Sequence, residues 1–77
     1  MDFSPERKKS IRKRLEPILA GFDPELKFVT VFLDSGRKNM AVVAEKDDHP
    51  LVLRLDFLRY VTMPDDEIRR SLAEQLA

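Results

Sequence analysis

The chain contains no cysteine, which excludes disulfide bonds, thiolate zinc sites and thiol nucleophiles. Glycine is also scarce, with two residues in the chain, and the single glycine of segment 34–37 does not make a phosphate-cradling loop. The formal net charge is zero, because 14 Lys and Arg balance 14 Asp and Glu. This balance removes the overall positive field that is typical of a dedicated nucleic-acid-binding protein.

Long apolar runs are missing as well. The longest apolar-rich run, 28–33, is far shorter than the roughly 20 residues of a membrane-spanning helix, and no signal-peptide pattern precedes it. We therefore expect a soluble, cytoplasmic protein that has no membrane partner. A chain of 77 residues has room for one small α+β domain, 1–77, which packing alone must stabilise.

The first helix is predicted from its start signals and its periodicity. Ser4 is placed to cap it and Pro5 suits its first position. Apolar residues then recur at helical spacing on one stripe, which we assign to the core: Ile11, Leu15, Ile18 and Leu19. We expect a kink or break near Glu16, because Pro17 removes a helical hydrogen bond, and a left-handed cap at Gly21.

Three strands and a last helix follow. Segments 26–33, 40–45 and 51–57 are rich in β-forming or alternating residues, with turns between them, the first containing Gly36. Pro64 and the acidic residues after it mark a helix that runs to the C-terminus, whereas 58–63 suits either a helix or a connector. The predicted fold class is α+β, in the order α-β-β-β-α, with a three-stranded antiparallel sheet and both helices on one face.

This arrangement leaves one face of the sheet uncovered. Segment 26–33 is apolar on both alternating faces, so two helices on one side leave about 300 Å² of apolar surface on the other, a size that often marks a partner site. The candidate partner-binding residues are Val29, Val31, Leu33, Ala41, Val43 and Val52. The assignment assumes a regular strand, because a one-residue bulge would exchange the two faces.

The first helix also carries six basic residues within segment 7–14. Lys9, Arg12 and Lys13 lie opposite the apolar stripe, where they could bind phosphates in a salt-dependent way. The other interpretation is a solvated helix face balanced by the acidic start of the last helix. The run contains no aromatic residue, so it lacks the base-stacking platform that proteins binding single strands use.

The α-β-β-β-α order resembles that of double-stranded RNA-binding domains. That family places a Lys-rich motif at the start of its last helix, where it grips phosphates. The matching positions here, 64–67, read Pro-Asp-Asp-Glu, and an acidic helix start repels phosphate. We therefore transfer no binding residues from that family to this chain.

No catalytic or metal-binding set is evident in the sequence. His49 is the single histidine and follows Asp47 and Asp48, but three adjacent residues of one turn do not usually converge on one ion. None of the serines lies in a sequence typical of a strained nucleophile turn. We therefore expect no enzyme activity, no cofactor, no metal and no small-molecule substrate.

The sequence thus predicts a non-enzymatic protein–protein interaction module that docks through an open apolar sheet face. It would act as a self-associating homodimer or as a small adaptor or inhibitor. The alternative is a nucleic-acid-binding regulator that uses the basic first helix, residues 7–14.

Overall fold

The predicted fold class and element order are confirmed by a computed structural model, which describes residues 3–34 and 39–76. A one-turn helix occupies part of the stretch that the sequence left open. The elements are α1 Pro5–Phe22, β1 Lys27–Asp34, β2 Asn39–Lys46, β3 His49–Asp56, α2 Phe57–Tyr60 and α3 Asp65–Leu76.

Helix α1 begins as predicted and ends differently. The Ser4 hydroxyl accepts a hydrogen bond of 3.2 Å from the Arg7 N–H, as an N-cap does. The helix continues without a break through Pro17; Pro17 is on the exposed side, where solvent can satisfy the carbonyl that loses its partner. The predicted cap at Gly21 is wrong, because the helix extends to Phe22 and Asp23 ends it in an extended conformation with φ −159°.

The sheet is antiparallel in the order β1-β2-β3, and β1 contains a bulge. Phe28 pairs with Ala44, but the next pair joins Thr30 to Val43, so Val29 is an extra residue. The bulge reverses which residues of β1 face the helices beyond that point, because side chains alternate along a strand.

The core lies between one face of the sheet and all three helices. α1 contributes its predicted stripe, α3 contributes Ile68 and Leu72, and α2 contributes Tyr60. The buried strand residues of the same cluster are Phe28, Val31, Met40, Val42, Ala44, Leu53 and Leu55. Because every helix packs into this one cluster, the opposite face of the sheet is uncovered in the described residues.

The turn between β2 and β3 has two central residues, Asp47 and Asp48. Their φ angles are 52° and 63°, and Lys46 pairs with His49 across the turn, as in a type I′ hairpin. Such a turn favours Asn and Gly, because positive φ strains other side chains. The other predicted turn, with Gly36, lies outside the described residues.

Replacing Asp48 with Gly is expected to raise the free energy of unfolding by about 0.5–1 kcal/mol, because Gly adopts positive φ without steric cost. The measurement is the urea midpoint at constant slope. Asp48→Ala is the matched control, since it removes the carboxylate but keeps the β-carbon. An equal gain in both variants would show that charge, and not backbone strain, limits this turn.

Candidate protein-docking face and the basic helix

The uncovered side of the sheet, called here the open face, is built from two cross-strand rows. One row joins Thr30, Val43 and Val52, and the other joins Phe32, Ala41 and Arg54. The bulged Val29 lies beside Thr30 at the β1 edge. The larger apolar side chains of this face are strongly exposed: Val29 47%, Phe32 41% and Val52 53%.

Two of the predicted docking residues lie on the other side of the sheet. Val31 is fully buried in the core cluster, and Leu33 pairs with the core residue Met40. The bulge at Val29 is the cause, since it shifts the alternation by one residue. The sequence interpretation therefore missed Phe32 and Thr30, which take their places on the open face.

Ala41 is at the centre of the open face and has no exposed surface, although it is not part of the core cluster. Its neighbours explain this burial. Arg54 reaches across β2 to Asp34, with 3.3 Å between Nη1 and Oδ2, so this pair and the Phe32 ring cover the small Ala41 methyl.

The outer edge of β3 is closed by a side chain of α3. The Gln75 amide accepts a hydrogen bond from the Arg54 N–H and donates one to the Arg54 carbonyl, both at 2.7 Å. An amide that makes this pair of bonds replaces the peptide unit of a neighbouring strand, and covering an edge in this way opposes further strand pairing.

The three basic residues of the alternative prediction are all exposed on α1. Arg12 is engaged within the fold: its Nε lies 2.8 Å from Glu16 Oε2, and its guanidinium lies 5.9 Å from the centre of the Phe28 ring. Lys9 and Lys13 have no ion pair or hydrogen bond with any residue that the structure describes. The basic surface available to a ligand is therefore smaller than the run suggests.

Two further arginines of the run pack onto the end of the molecule that holds α2. The Arg7 guanidinium lies 5.7 Å from the centre of the Phe57 ring, and that of Arg14 lies 4.9 Å from the centre of the Tyr60 ring. Phe57 and Tyr60 lie far from the basic run in sequence, so the composition of the run does not indicate these contacts.

Arg14 also joins α1 to the segment between α2 and α3. Its Nε lies 3.0 Å from Asp65 Oδ1, and its terminal nitrogens donate to the carbonyls of Met63 at 2.5 Å and Tyr60 at 3.4 Å. Burial lowers the pKa of the guanidinium, but the hydrogen bonds with Asp65 and Tyr60 outweigh it, and the pKa is raised. Arg14 is a structural residue.

His49 is the remaining candidate of the sequence analysis. His49 is exposed beside the turn at Asp47 and Asp48. Within residues 3–34 and 39–76, no group of three His, Cys, Asp or Glu side chains is placed to hold a metal ion, and no helix is long and apolar enough to cross a membrane.

Comparison with protein-family models, curated proteins and solved structures found no significant match to this chain. The resemblance to double-stranded RNA-binding domains therefore rests on element order alone. Asp65, Asp66 and Glu67 occupy the first turn of α3 and are exposed, so the acidic helix start that the sequence indicated is present at the surface.

Proposed function

We propose that this protein is a non-enzymatic interaction module that self-associates through its open face. The observation that carries the proposal is the uncovered apolar surface formed by Val29, Phe32, Val43 and Val52, opposite a face that all three helices cover. A two-fold dimer uses the same patch on both copies, so one such surface on each copy is enough to form the contact.

The size of the open face sets the expected strength of the dimer. About 300 Å² of apolar surface on each copy corresponds to roughly 15 kcal/mol gross for the pair at ~25 cal/mol per Å². Association costs about 4–15 kcal/mol, and an interface of this size is below the roughly 1,200 Å² of stable complexes. The dimer is therefore expected to be weak and to form at high protein concentration.

Charge supports a second copy as the occupant. The Arg54 cation of the open face is already paired with Asp34, and at the other end of the face Lys27 and Glu45 stand opposite each other in the register of β1 and β2. A copy turned by two-fold symmetry therefore meets mixed charges around an apolar centre.

Replacing Val52 with Asp is expected to keep the protein monomeric at every concentration, because it places a charge in the apolar row of Val43 and Val52. The measurement is light scattering after gel filtration, from about 10 µM to about 500 µM, the range in which a small interface associates. The unchanged protein should show a rising average mass over this range.

The matched control is Leu58→Asp, because Leu58 is as exposed as Val52 (58% against 53%) but lies on α2 and not on the sheet. This variant should associate like the unchanged protein. A strict monomer at all concentrations, or loss of association in the Leu58 variant instead, would contradict the proposal.

Nucleic-acid binding by α1 is the second candidate function, and the exposure of Lys9 and Lys13 favours it. Fluorescence anisotropy with labelled DNA and RNA at about 50 mM salt tests it, since phosphate contacts are strongest at low salt. Binding that disappears in Lys9→Glu plus Lys13→Glu would support this function, and no binding would exclude it.

A further inference from the structure

The outer edge of β3 is occupied by a side chain that stands in for a strand. The Gln75 carboxamide accepts a hydrogen bond from the Arg54 N–H and donates one to the Arg54 carbonyl, both at 2.7 Å. A carboxamide has the same donor and acceptor as a peptide unit, and a residue of an antiparallel strand exchanges the same two bonds with its partner. The group that this edge binds within the fold is therefore the group that an extended peptide would supply.

The edge of β3 is regular. His49–Asp56 pairs residue for residue with β2, without a bulge. Because backbone groups alternate in direction along a strand, the N–H and C=O of Val52 point outward like those of Arg54, and no strand of the described residues lies beside them. Pro50, the preceding outward position, has no N–H and limits the edge at that end. The stretch 52–56 is suited to a strand of about five residues.

A cleft of about 300 Å³ lies along the same stretch, between β3 and the helices α2 and α3. Segment 54–56 forms its strand side, and Ser71 and Met63 are among the residues on its helix side. Space for an incoming chain is therefore present beside the strand edge.

We propose that the β3 edge binds a short, extended, uncharged peptide segment of a partner protein as a fourth strand, in competition with the Gln75 side chain. Gln75 is exposed, so its side chain can rotate into solvent while α3 stays helical, and the peptide then takes over both hydrogen bonds to Arg54. Such strand addition is a common mode of peptide recognition. The site lies on the edge of the sheet and is distinct from the open face that carries the proposed function.

The surroundings of the edge indicate the side chains of the peptide. A residue opposite Val52 would point to the open face, where Val52 is 53% exposed, and an apolar β-branched side chain suits that position. The cleft on the other side is balanced in charge, because three arginines and three carboxylates line it: Arg54, Arg59, Arg70, Asp56, Glu67 and Glu74. This balance favours a segment without net charge.

Charge and geometry argue against the other occupants. Nucleic acid requires an excess of cations and exposed rings for stacking, but the cleft is balanced in charge and none of the described residues that line it is aromatic. A second copy of the chain, paired through its own β3 edge at Arg54, would have to displace two Gln75 side chains. A peptide displaces one.

The test measures the fluorescence anisotropy of a fluorescein-labelled peptide in which Val and Thr alternate, with the full chain as the receptor. Gln75→Ala is expected to tighten binding about tenfold, since the peptide no longer displaces two hydrogen bonds, and Ala keeps the last turn of α3 helical. Arg69→Ala is the matched control, because Arg69 is an exposed residue of α3 outside the cleft. It should leave the dissociation constant unchanged.

A second peptide tests the backbone contact. Methyl groups on its alternate backbone nitrogens keep every side chain but remove the N–H donors of one edge. This peptide should bind at least about tenfold more weakly, because the hydrogen bond to the Arg54 carbonyl is lost.

Three results would overturn the inference: unchanged affinity in Gln75→Ala, equal tightening in Arg69→Ala, or equal binding of the methylated and unmethylated peptides. A rise in the mass of Gln75→Ala above that of the unchanged protein, measured by light scattering without peptide, would also overturn it, because the occupant would then be a second copy.

Phe32→Asp separates this site from the open face, since Phe32 lies on that face but on β1. The variant should bind the peptide like the unchanged protein, whether or not it self-associates. Loss of peptide binding in this variant would place the peptide on the open face and contradict the inference.

Discussion

Replacing Val31 with Asp is expected to remove most or all of the stability of the fold. Val31 has no exposed surface and belongs to the core cluster between β1 and the helices. An unpaired carboxylate at such a position costs about 5 kcal/mol, whereas a domain of this length has about 4–12 kcal/mol of stability in total. Circular dichroism and the dispersion of amide NMR signals provide the measurement.

Val43→Asp is the matched control, because Val43 is one position from the pairing partner of Val31 but faces the open side. It should fold, with a loss of about 1 kcal/mol from reduced β-propensity, and it should be monomeric. Phe32→Asp should also fold. If Val31→Asp folds and Phe32→Asp does not, the strand is regular and the bulge at Val29 is absent.

Replacing Arg14 with Met is expected to lower the free energy of unfolding by about 2–4 kcal/mol, as charged hydrogen bonds contribute about 1.5–3 kcal/mol each and only part of the loss is recovered by solvent. The variant loses the contacts with Asp65 and with the carbonyls of Tyr60 and Met63. These contacts hold the α2–α3 connection against α1. Urea unfolding monitored by circular dichroism measures the change.

Arg12→Met removes a guanidinium from the same helix but from a solvent-exposed pair with Glu16. Exposed pairs of this kind contribute little, so the expected loss is about 0.5 kcal/mol or less. Similar losses in the two variants would mean that the hydrogen bonds of Arg14 do not anchor the connection.

The helix and strand pattern could be predicted because local signals agreed with the packing. Ser4 capped the helix as expected, and the apolar stripe of α1 entered the core. The predicted cap at Gly21 was wrong and the helix does not break at Pro17, since tertiary packing of the helix outweighed the local preferences of both residues.

Some of the residues of the open face could be predicted from the sequence. Val43 and Val52 were placed correctly on the uncovered side because β2 and β3 are regular. Val31 and Leu33 were not, because the bulge is a single extra residue in a run where every residue favours strand, and no residue type marks it. The aromatic partners of the arginines were equally hidden, since they lie far away in sequence.

The pair of hydrogen bonds between the Gln75 side chain and the Arg54 backbone has a consequence for assembly. Gln75 lies near the end of α3, so the β3 edge stays covered at Arg54 while the last turn of α3 remains helical. If that turn unfolds, the edges of both outer strands are exposed. Molecules with two exposed edges can pair edge to edge into open filaments, because no symmetry closes such an assembly. The hydrogen bonds between Gln75 and Arg54 therefore oppose growth of the sheet at β3.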